Sequence, residues 1–363
     1  PGYGLRGLVA LAAELEHRDD GPRTVRIPVD LAALAAAGDP ALALRIGGSS
    51  RAPYPRAAVA EVAAELTEGA RRDGHPLREL HIDHDCPTRR LPECAELLEA
   101  VRRRIAPTPL VFTALPSWLG APDAFAGLAA VADGFVLQVH SLDDPGRQGD
   151  LVDPALARRA VDAAATFGRP FHVALPTHTY RVFLDAEGRT VDVAAEGRGP
   201  SIGGPPARRR LVASDPASMA ALVRGWLAAR PPQLEGILWF RLPVETDRYN
   251  WTAATLAGVI EGQAPVPRLA VEVRRPEPGL AEIDLVNRGD GAVGPPARVR
   301  LDYPKPPLAG DGLGGYRFDL GRGLLEGAAG APLRPGERRA VAWLRFQSPE
   351  TPVSATFGDP DAL

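Results

Sequence analysis

"LRELHID" (residues 77–83) runs on into "HIDHDCPTRRL" (81–91), and how this stretch is read decides the fold. Alternate residues of a strand share a face, so Leu80 and Ile82 form an apolar side while His81, Asp83 and Asp85 form the other. A carboxylate buried without a partner is strongly disfavoured or shifts its pKa. Three ionisable groups on one strand face therefore either partner one another or line a cavity. Pro87 ends the ladder and turns the chain out.

Outward from this strand the same rhythm repeats. Short apolar runs stand at 5–15 ("LRGLVALAAEL"), 41–47 ("ALALRIG"), 109–115 ("PLVFTAL"), 134–140 ("GFVLQVH"), 170–176 ("PFHVALP") and 236–243 ("GILWFRLP"). Amphipathic helical stretches lie between them, at 56–72, 91–105, 153–168 and 215–230. The last two open with Asp153-Pro154 and Asp215-Pro216, the N-cap and first-turn residues that start a helix. Seven strands in strand–helix alternation predict an α/β fold of the (β/α)8 TIM type, whose usual size of about 250 residues matches this stretch. The eighth strand is sought near "RTVRIPV" (23–29) or before Pro1. An open doubly wound sheet is the second reading, weakened because no Gly-rich phosphate loop follows the early strands.

The expected organisation is a barrel over residues 1–262 and a small β-sandwich over 263–363. The rhythm breaks at 180–197, where period-two alternation around "DAEGR" reads as a hairpin; a Gly/Pro/Arg-rich loop follows. This insertion near 180–210 falls on the side where barrels build active sites. Beyond "QAPVP" (263–267), alternating runs between Gly/Pro turns replace the helices, with no histidine or cysteine among them. "RGD" at 288–290 reads as a turn between strands.

Composition bounds the function. Of 363 residues, 45% are hydrophobic and 24% charged, ordinary for a globular chain. A net charge of −3 gives no electrostatic ground for a nucleic-acid partner. Lys305 is the one lysine among 42 basic residues, a bias of GC-rich bacterial coding that makes most arginines uninformative. No apolar run reaches the roughly 20 residues of a transmembrane helix. The chain starts at Pro1 and reads as a mature or trimmed product, with a periplasmic or other extracytoplasmic address preferred to a cytoplasmic one. Cys86 and Cys94 match no zinc spacing; a local disulfide and two reduced thiols both fit.

Further polar and aromatic residues gather at other strand ends: Trp118, Gln138 with His140, His178 and Tyr180, then Trp239, Arg241, Glu245 and Asp247. Trp239 and Arg241 share a parity, which predicts an indole and a guanidinium facing one cavity. Aromatic surface beside carboxylates and amides suits a sugar, with its apolar CH face and its hydroxyls. The bland alternatives are core tryptophans, satisfied histidines, and an aspartate pair neutralised by arginines such as Arg45. His81, Asp83, Asp85, His140, His172 and His178 are metal-donor types, but no HxH opens an early strand and no HExxH lies on a helix. No metal and no cofactor is therefore expected. Nor does a GxSxG nucleophile motif occur.

"HIDHDCPTRRL", "TALPSWL", "VLQVHSL", "ALPTHTY" and "ILWFRLPVETDRYNW", in this order, resemble the bacterial domain-of-unknown-function family 3142 across most of residues 5–260. That resemblance implies a glycoside-hydrolase-like barrel without assigning a reaction. A more distant similarity is to chitinase-type (family 18) glycoside hydrolases, with their DxDxE strand end and a tryptophan on the last strand. Asp83 and Asp85 match the two aspartates and Trp239 the tryptophan, while the acid glutamate falls at Pro87, which cannot donate a proton. The resemblance thus implies a barrel acting on or binding a polysaccharide. Asp83, Asp85 and Glu245 are its candidate catalytic groups. His81, Trp118, Gln138, His140, Tyr180, Trp239 and Arg241 are its candidate sugar contacts. The alternatives are a non-catalytic carbohydrate-binding or envelope scaffold and, third, a metal-dependent hydrolase.

Overall fold

The computed structural model describes residues 4–48, 53–140, 150–195, 208–327 and 330–357. The chain divides into two compact units, Pro1–Leu242 with Asp247–Asn250, and Pro243–Thr246 with Trp251–Leu363.

The strands of the first unit are β1 (Val9–Glu16), β2 (Arg23–Arg26), β3 (Ala41–Gly47), β4 (Glu79–Asp83), β5 (Leu110–Ala114), β6 (Gly134–Gln138), β7 (Phe171–Pro176), β8 (Thr179–Leu184), β9 (Thr190–Ala194), β10 (Arg208–Ala213) and β11 (Leu234–Phe240). Its helices are α1 (Leu31–Ala36), α2 (Arg56–Arg72), α3 (Leu91–Ile105), α4 (Pro122–Val131), α5 (Pro154–Ala165) and α6 (Pro216–Ala228). Eight strands form one sheet in the order β11-β7-β6-β5-β4-β3-β1-β2. Seven of them run parallel in sequential order, each beside the next. Right-handed connections between such strands send every helix to the same face. The order is that of a barrel, but among the described residues no ladder joins β11 to the β1–β2 edge.

The expected eighth barrel strand is thereby corrected. Part of "RTVRIPV" forms β2, which pairs antiparallel with β1 and is exposed at all four residues. Only residues 17–22 separate the two strands, too few for the crossover that a parallel neighbour requires.

Apolar alternation sets the two faces of the sheet. Leu42, Leu44, Leu80, Ile82, Leu110, Phe112, Phe135, Leu137, Phe171, Val173 and Leu175 are all nearly inaccessible and form the helix side. Ile82 and Phe112 meet Leu97 and Leu98 of α3 and Leu128 of α4 there. On the opposite face Val111, Val136 and Ala174 cluster with Leu238. The helices start as expected: Asp153 and Asp215 each accept two first-turn N–H groups through their carboxylates, with proline next in sequence. The insertion is an antiparallel sheet in the order β10-β8-β9, packed through Leu151, Val182 and Val212. Its turn is closed by the Arg189 N–H donating to the Asp185 carboxylate at 2.8 Å. The long loop at 198–210 lies mostly outside the described residues.

The second unit carries α7 (Ala253–Ile260) and eight strands: β12 (Leu269–Glu277), β13 (Leu280–Asn287), β14 (Arg298–Asp302), β15 (Ala309–Gly312), β16 (Tyr316–Asp319), β17 (Leu324–Gly327), β18 (Arg338–Arg345) and β19 (Ser354–Thr356). They form two four-stranded antiparallel sheets around Ile283, Leu285, Val299, Leu301, Leu325, Val341 and Leu344. The RGD triplet is structural. Arg288 pairs with Glu272 at 2.7 Å, and the Asp290 carboxylate accepts the Val266 N–H at 2.6 Å.

Candidate functional site

The carboxyl ends of the parallel strands bring polar residues to the face opposite the helices. Parallel register pairs Glu14 with Arg45 and Arg45 with Asp83, so these three stand in a row across β1, β3 and β4. Arg45 bridges them, 3.8 Å from Glu14 and 4.0 Å from Asp83, and all three side chains reach solvent. Asp85 follows two residues beyond Asp83. Asp85 is exposed, yet the groups around it remove enough hydration to raise its carboxyl pKa. The Asp83 charge adds to the rise and Arg45 opposes it. Tyr180, at the start of the insertion, is raised by burial, lowered by Arg45 and raised by Asp85, so it shares this electrostatic neighbourhood.

From Tyr180 the site continues to β6, β7 and β11. The Tyr180 ring meets His178 edge-on at 4.6 Å, and His178 meets His140 at 5.9 Å and Phe240 at 5.4 Å. Phe240 stacks parallel to His140 at 6.0 Å while remaining 47% exposed, unusual for a phenylalanine at a strand end. The Phe240 carbonyl accepts the Thr177 N–H at 2.8 Å and the His178 Nδ1–H at 3.1 Å; the Phe240–Arg241 peptide is cis. Arg241 is held by Asp247 at 2.6 Å, and Asn250 donates to the same carboxylate at 3.0 Å.

The tautomers follow from these partners. A carbonyl only accepts, so His178 carries its proton on Nδ1 and leaves Nε2 as a buried lone pair with no partner among the described residues. His140 donates likewise to the Ala174 carbonyl, leaving Nδ1 with no partner among the described residues. Burial, then the neighbouring His178, pushes the His140 pKa down to about 4. Burial and Arg241 push His178 down against the Phe240 carbonyl. Both rings are therefore neutral acceptors at neutral pH.

Several sequence-derived candidates stand elsewhere. His81 lies on the expected face but deep in the sheet, bonded to Glu79 at 2.9 Å, and that contact with Arg78 holds the Glu79 carboxyl down at about 2 despite burial. Trp118 is 2% exposed, its indole donating to the Cys86 carbonyl at 3.1 Å, among Ile82, Cys94, Leu97 and Phe112 on the helix side. It is a core residue and not a ligand platform. Trp239 pairs with Leu175, which puts it on the helix-side face, while Phe240 and Leu238 share the face of Pro176 and Ala174. The indole expected beside Arg241 thus faces the helices, and Phe240 stands on the opposite face in its place. Gln138 shares the Ala174 face and is half-buried. Glu245 is exposed and belongs to the second unit. Cys86 and Cys94 are free buried thiols hydrogen-bonded to each other. Among the described residues no three His, Cys, Asp or Glu side chains are grouped to hold a metal ion. Nor is any described helix long and apolar enough to cross a membrane.

Glu14 and Phe240 are the additions that sequence reading passed over, while Arg45 stands beside Asp83 as the neutralising arginine that the sequence offered. Their signal was positional, since Glu14 lies in register with Arg45 and Asp83, and Phe240 ends β11 on the face of Ala174.

The domain of unknown function DUF3142 matches residues 38–245, and the chain belongs to that family. A second domain of unknown function, DUF8456, matches residues 270–347. No curated protein sequence matches. Among solved structures, catalytic domain 2 of the Ostrinia furnacalis Group II chitinase is 13% identical with a TM-score of 0.46, covering 72% of this chain and 90% of that one. The Bacillus cereus spore cortex-lytic enzyme SleL is 13% identical at TM-score 0.38, with 59% of this chain covered. The chain spans half the length of SleL. The xylanase and alpha-amylase inhibitor protein XAIP-II of Scadoxus multiflorus is 15% identical at TM-score 0.34, covering 62% and 75%. These likenesses decide nothing about the site.

Proposed function

We propose that the first unit is a polysaccharide-binding cleft with glycoside-hydrolase chemistry, in which Asp85 donates the proton to the leaving oxygen. The observation that carries this reading is the position of Asp85, two residues beyond Asp83 past the carboxyl end of β4, in the electrostatic neighbourhood of Asp83, Arg45 and Tyr180, which raises its carboxyl pKa. A general acid must hold its proton near the working pH, and partial desolvation plus a like charge is how a carboxyl does so. Phe240 offers an exposed apolar face for a sugar ring. Tyr180, half-buried at the start of the insertion, offers a hydroxyl to hydrogen-bond a sugar. Pro87 rules out the family 18 acid, and two aspartates two residues apart on one strand end do not straddle a bond. The complementary carboxylate in this reading is Glu14, two strands from Asp83 and roughly 10 Å away between backbones. The same reading puts the chain in an extracytoplasmic compartment, where such polymers are met, and makes the second unit an accessory.

The test is reducing-end release from a panel of neutral and acidic polysaccharides by the wild type and by Asp85→Asn. The expected result is a kcat lower by about 10² to 10⁴ in the variant, the usual share of a positioned acid. Full activity in Asp85→Asn would remove Asp85 from the chemistry.

A second reading, saccharide binding without hydrolysis, is favoured by Arg45, whose guanidinium stands between Glu14 and Asp83 and engages the two carboxylates. It predicts no turnover of any polymer, together with saccharide affinity that Asp85→Asn leaves unchanged and Phe240→Ala weakens.

A further inference from the structure

A recess of about 650 Å3 opens where α2 and α3 begin, lined by Tyr54, Arg56, Arg89, Arg90, Glu93 and Glu96. Three guanidinium groups therefore face two carboxylates. Two of the three have partners within the recess. Arg90 lies 3.7 Å over the Tyr54 ring and donates to Glu93 at 2.7 Å, which fixes its orientation. Arg56 pairs with Glu96, both largely exposed, a contact too weak and too wet to hold the guanidinium against a competing anion. Arg89 makes no hydrogen bond or ion pair among the described residues and is exposed.

The placement of these groups is the informative part. A helix N-terminus carries partial positive charge, so basic side chains there are unfavourable and acidic ones stabilising. Arg56 is nevertheless the first residue of α2, which has no acidic residue in its first turn, and Arg90 is the N-cap of α3. Neither helix has a side-chain N-cap. Stability alone would have placed Asp, Ser or Thr at these positions. Instead one uncompensated guanidinium, one loosely held guanidinium and one clamped guanidinium share a recess whose volume is in the range of small-molecule sites.

We propose that this recess binds an oxyanion, a carboxylate or phosphate carried on a saccharide, through Arg89 and Arg56, with Arg90 preset by Tyr54 and Glu93. A bare phosphate would leave most of the volume empty, which is why a carrier is included. Arg89 is four positions beyond Asp85, a reach of at most about 14 Å, so the recess lies near the proposed cleft. Oxyanion binding does not require the cleft to be catalytic.

The experiment is isothermal titration calorimetry on the full chain at low salt, with oligogalacturonate, glucose 6-phosphate, inorganic phosphate and a neutral cello-oligosaccharide. Both acidic saccharides, or one of them, should bind, and Arg89→Ala should weaken that binding about tenfold or more, the scale of a charge-assisted contact. Arg89→Glu should abolish it, and added salt should weaken it in the wild type. Oligogalacturonate binding alone assigns the carboxylate, and glucose 6-phosphate binding alone assigns the phosphate ester. Arg56→Ala is the second variant, expected to weaken the same ligand. Absence of binding by both acidic saccharides, or affinities that Arg89→Glu and Arg56→Ala leave unchanged, would overturn the proposal. Asp85→Asn separates the two proposals, because it should spare oxyanion affinity while removing any hydrolysis.

Discussion

His140 gives the first unit a measurable pH signature. The ring is 7% exposed and its pKa is depressed from 6.5 to about 4 by burial and by His178. Between these two values the unfolded chain takes up a proton that the folded chain refuses. The unfolded state then binds more protons, so stability rises with pH and is lost as pH falls from 6.5 towards 4. A displacement of about 2.5 units corresponds to roughly 3 kcal/mol, with a slope of at most about 1.4 kcal/mol per pH unit. Above the unfolded value the contribution is complete and flat. The assay is urea unfolding of the wild type and of His140→Gln at several pH values from about 7.5 to about 4. The variant loses some packing, an offset largely independent of pH, so the quantity of interest is the difference in pH dependence. His84, His172 and His178 are also lowered by burial and steepen both curves, whereas the raised Asp85 opposes them at the acid end. The wild type should lose about 3 kcal/mol more than the variant across this window. Parallel curves, agreeing within about 0.5 kcal/mol, would refute a neutral buried His140 and with it the acceptor role given to its Nδ1.

Two further outcomes follow from residues on the helix side. Trp118→Ala should destabilise the first unit by about 3–5 kcal/mol in urea unfolding, since it empties a fully buried site and removes the donor to the Cys86 carbonyl. A loss below about 1 kcal/mol would return Trp118 to the surface as a sugar contact. Cys86 and Cys94 are buried, and the Cys94 thiol is pushed up by its hydrogen bond to Cys86 and by burial, so both should resist iodoacetamide in the native protein and react in denaturant. Rapid native alkylation, or an intact mass lower by two hydrogens, would contradict the paired-thiol arrangement.

How far the site was legible depended on which kind of information a residue's position needs. Asp83 and Asp85 were found because ionisable residues at period two in an apolar strand are conspicuous without any partner. His81 shares that pattern, yet its role was set by Glu79, whose carboxyl lies 2.9 Å from the ring two residues back. Trp118 and Trp239 were attractive as residue types, but an indole at a strand end serves equally well against helices. Only burial in one case and strand register in the other showed that both face that way. Phe240 was passed over because it sits beside a tryptophan in "ILWFRLP", and a shift of one residue reverses the face.

Seven parallel strands, four of the helices between them and the antiparallel second unit were legible in the sequence alone. Apolar periodicity, proline and aspartate at helix starts, and Gly/Pro turns act within a few residues of where they stand. The tertiary structure decided what depends on pairs distant in the chain. It turned residues 23–26 into an antiparallel edge strand, set Arg45 between Glu14 and Asp83, and stacked Phe240 on His140. It also gathered Arg56 and Arg90 at the open starts of two helices. Periodicity says which face a residue occupies, but the charges and rings it meets there come from other strands and helices, and their register is fixed only when the sheet assembles.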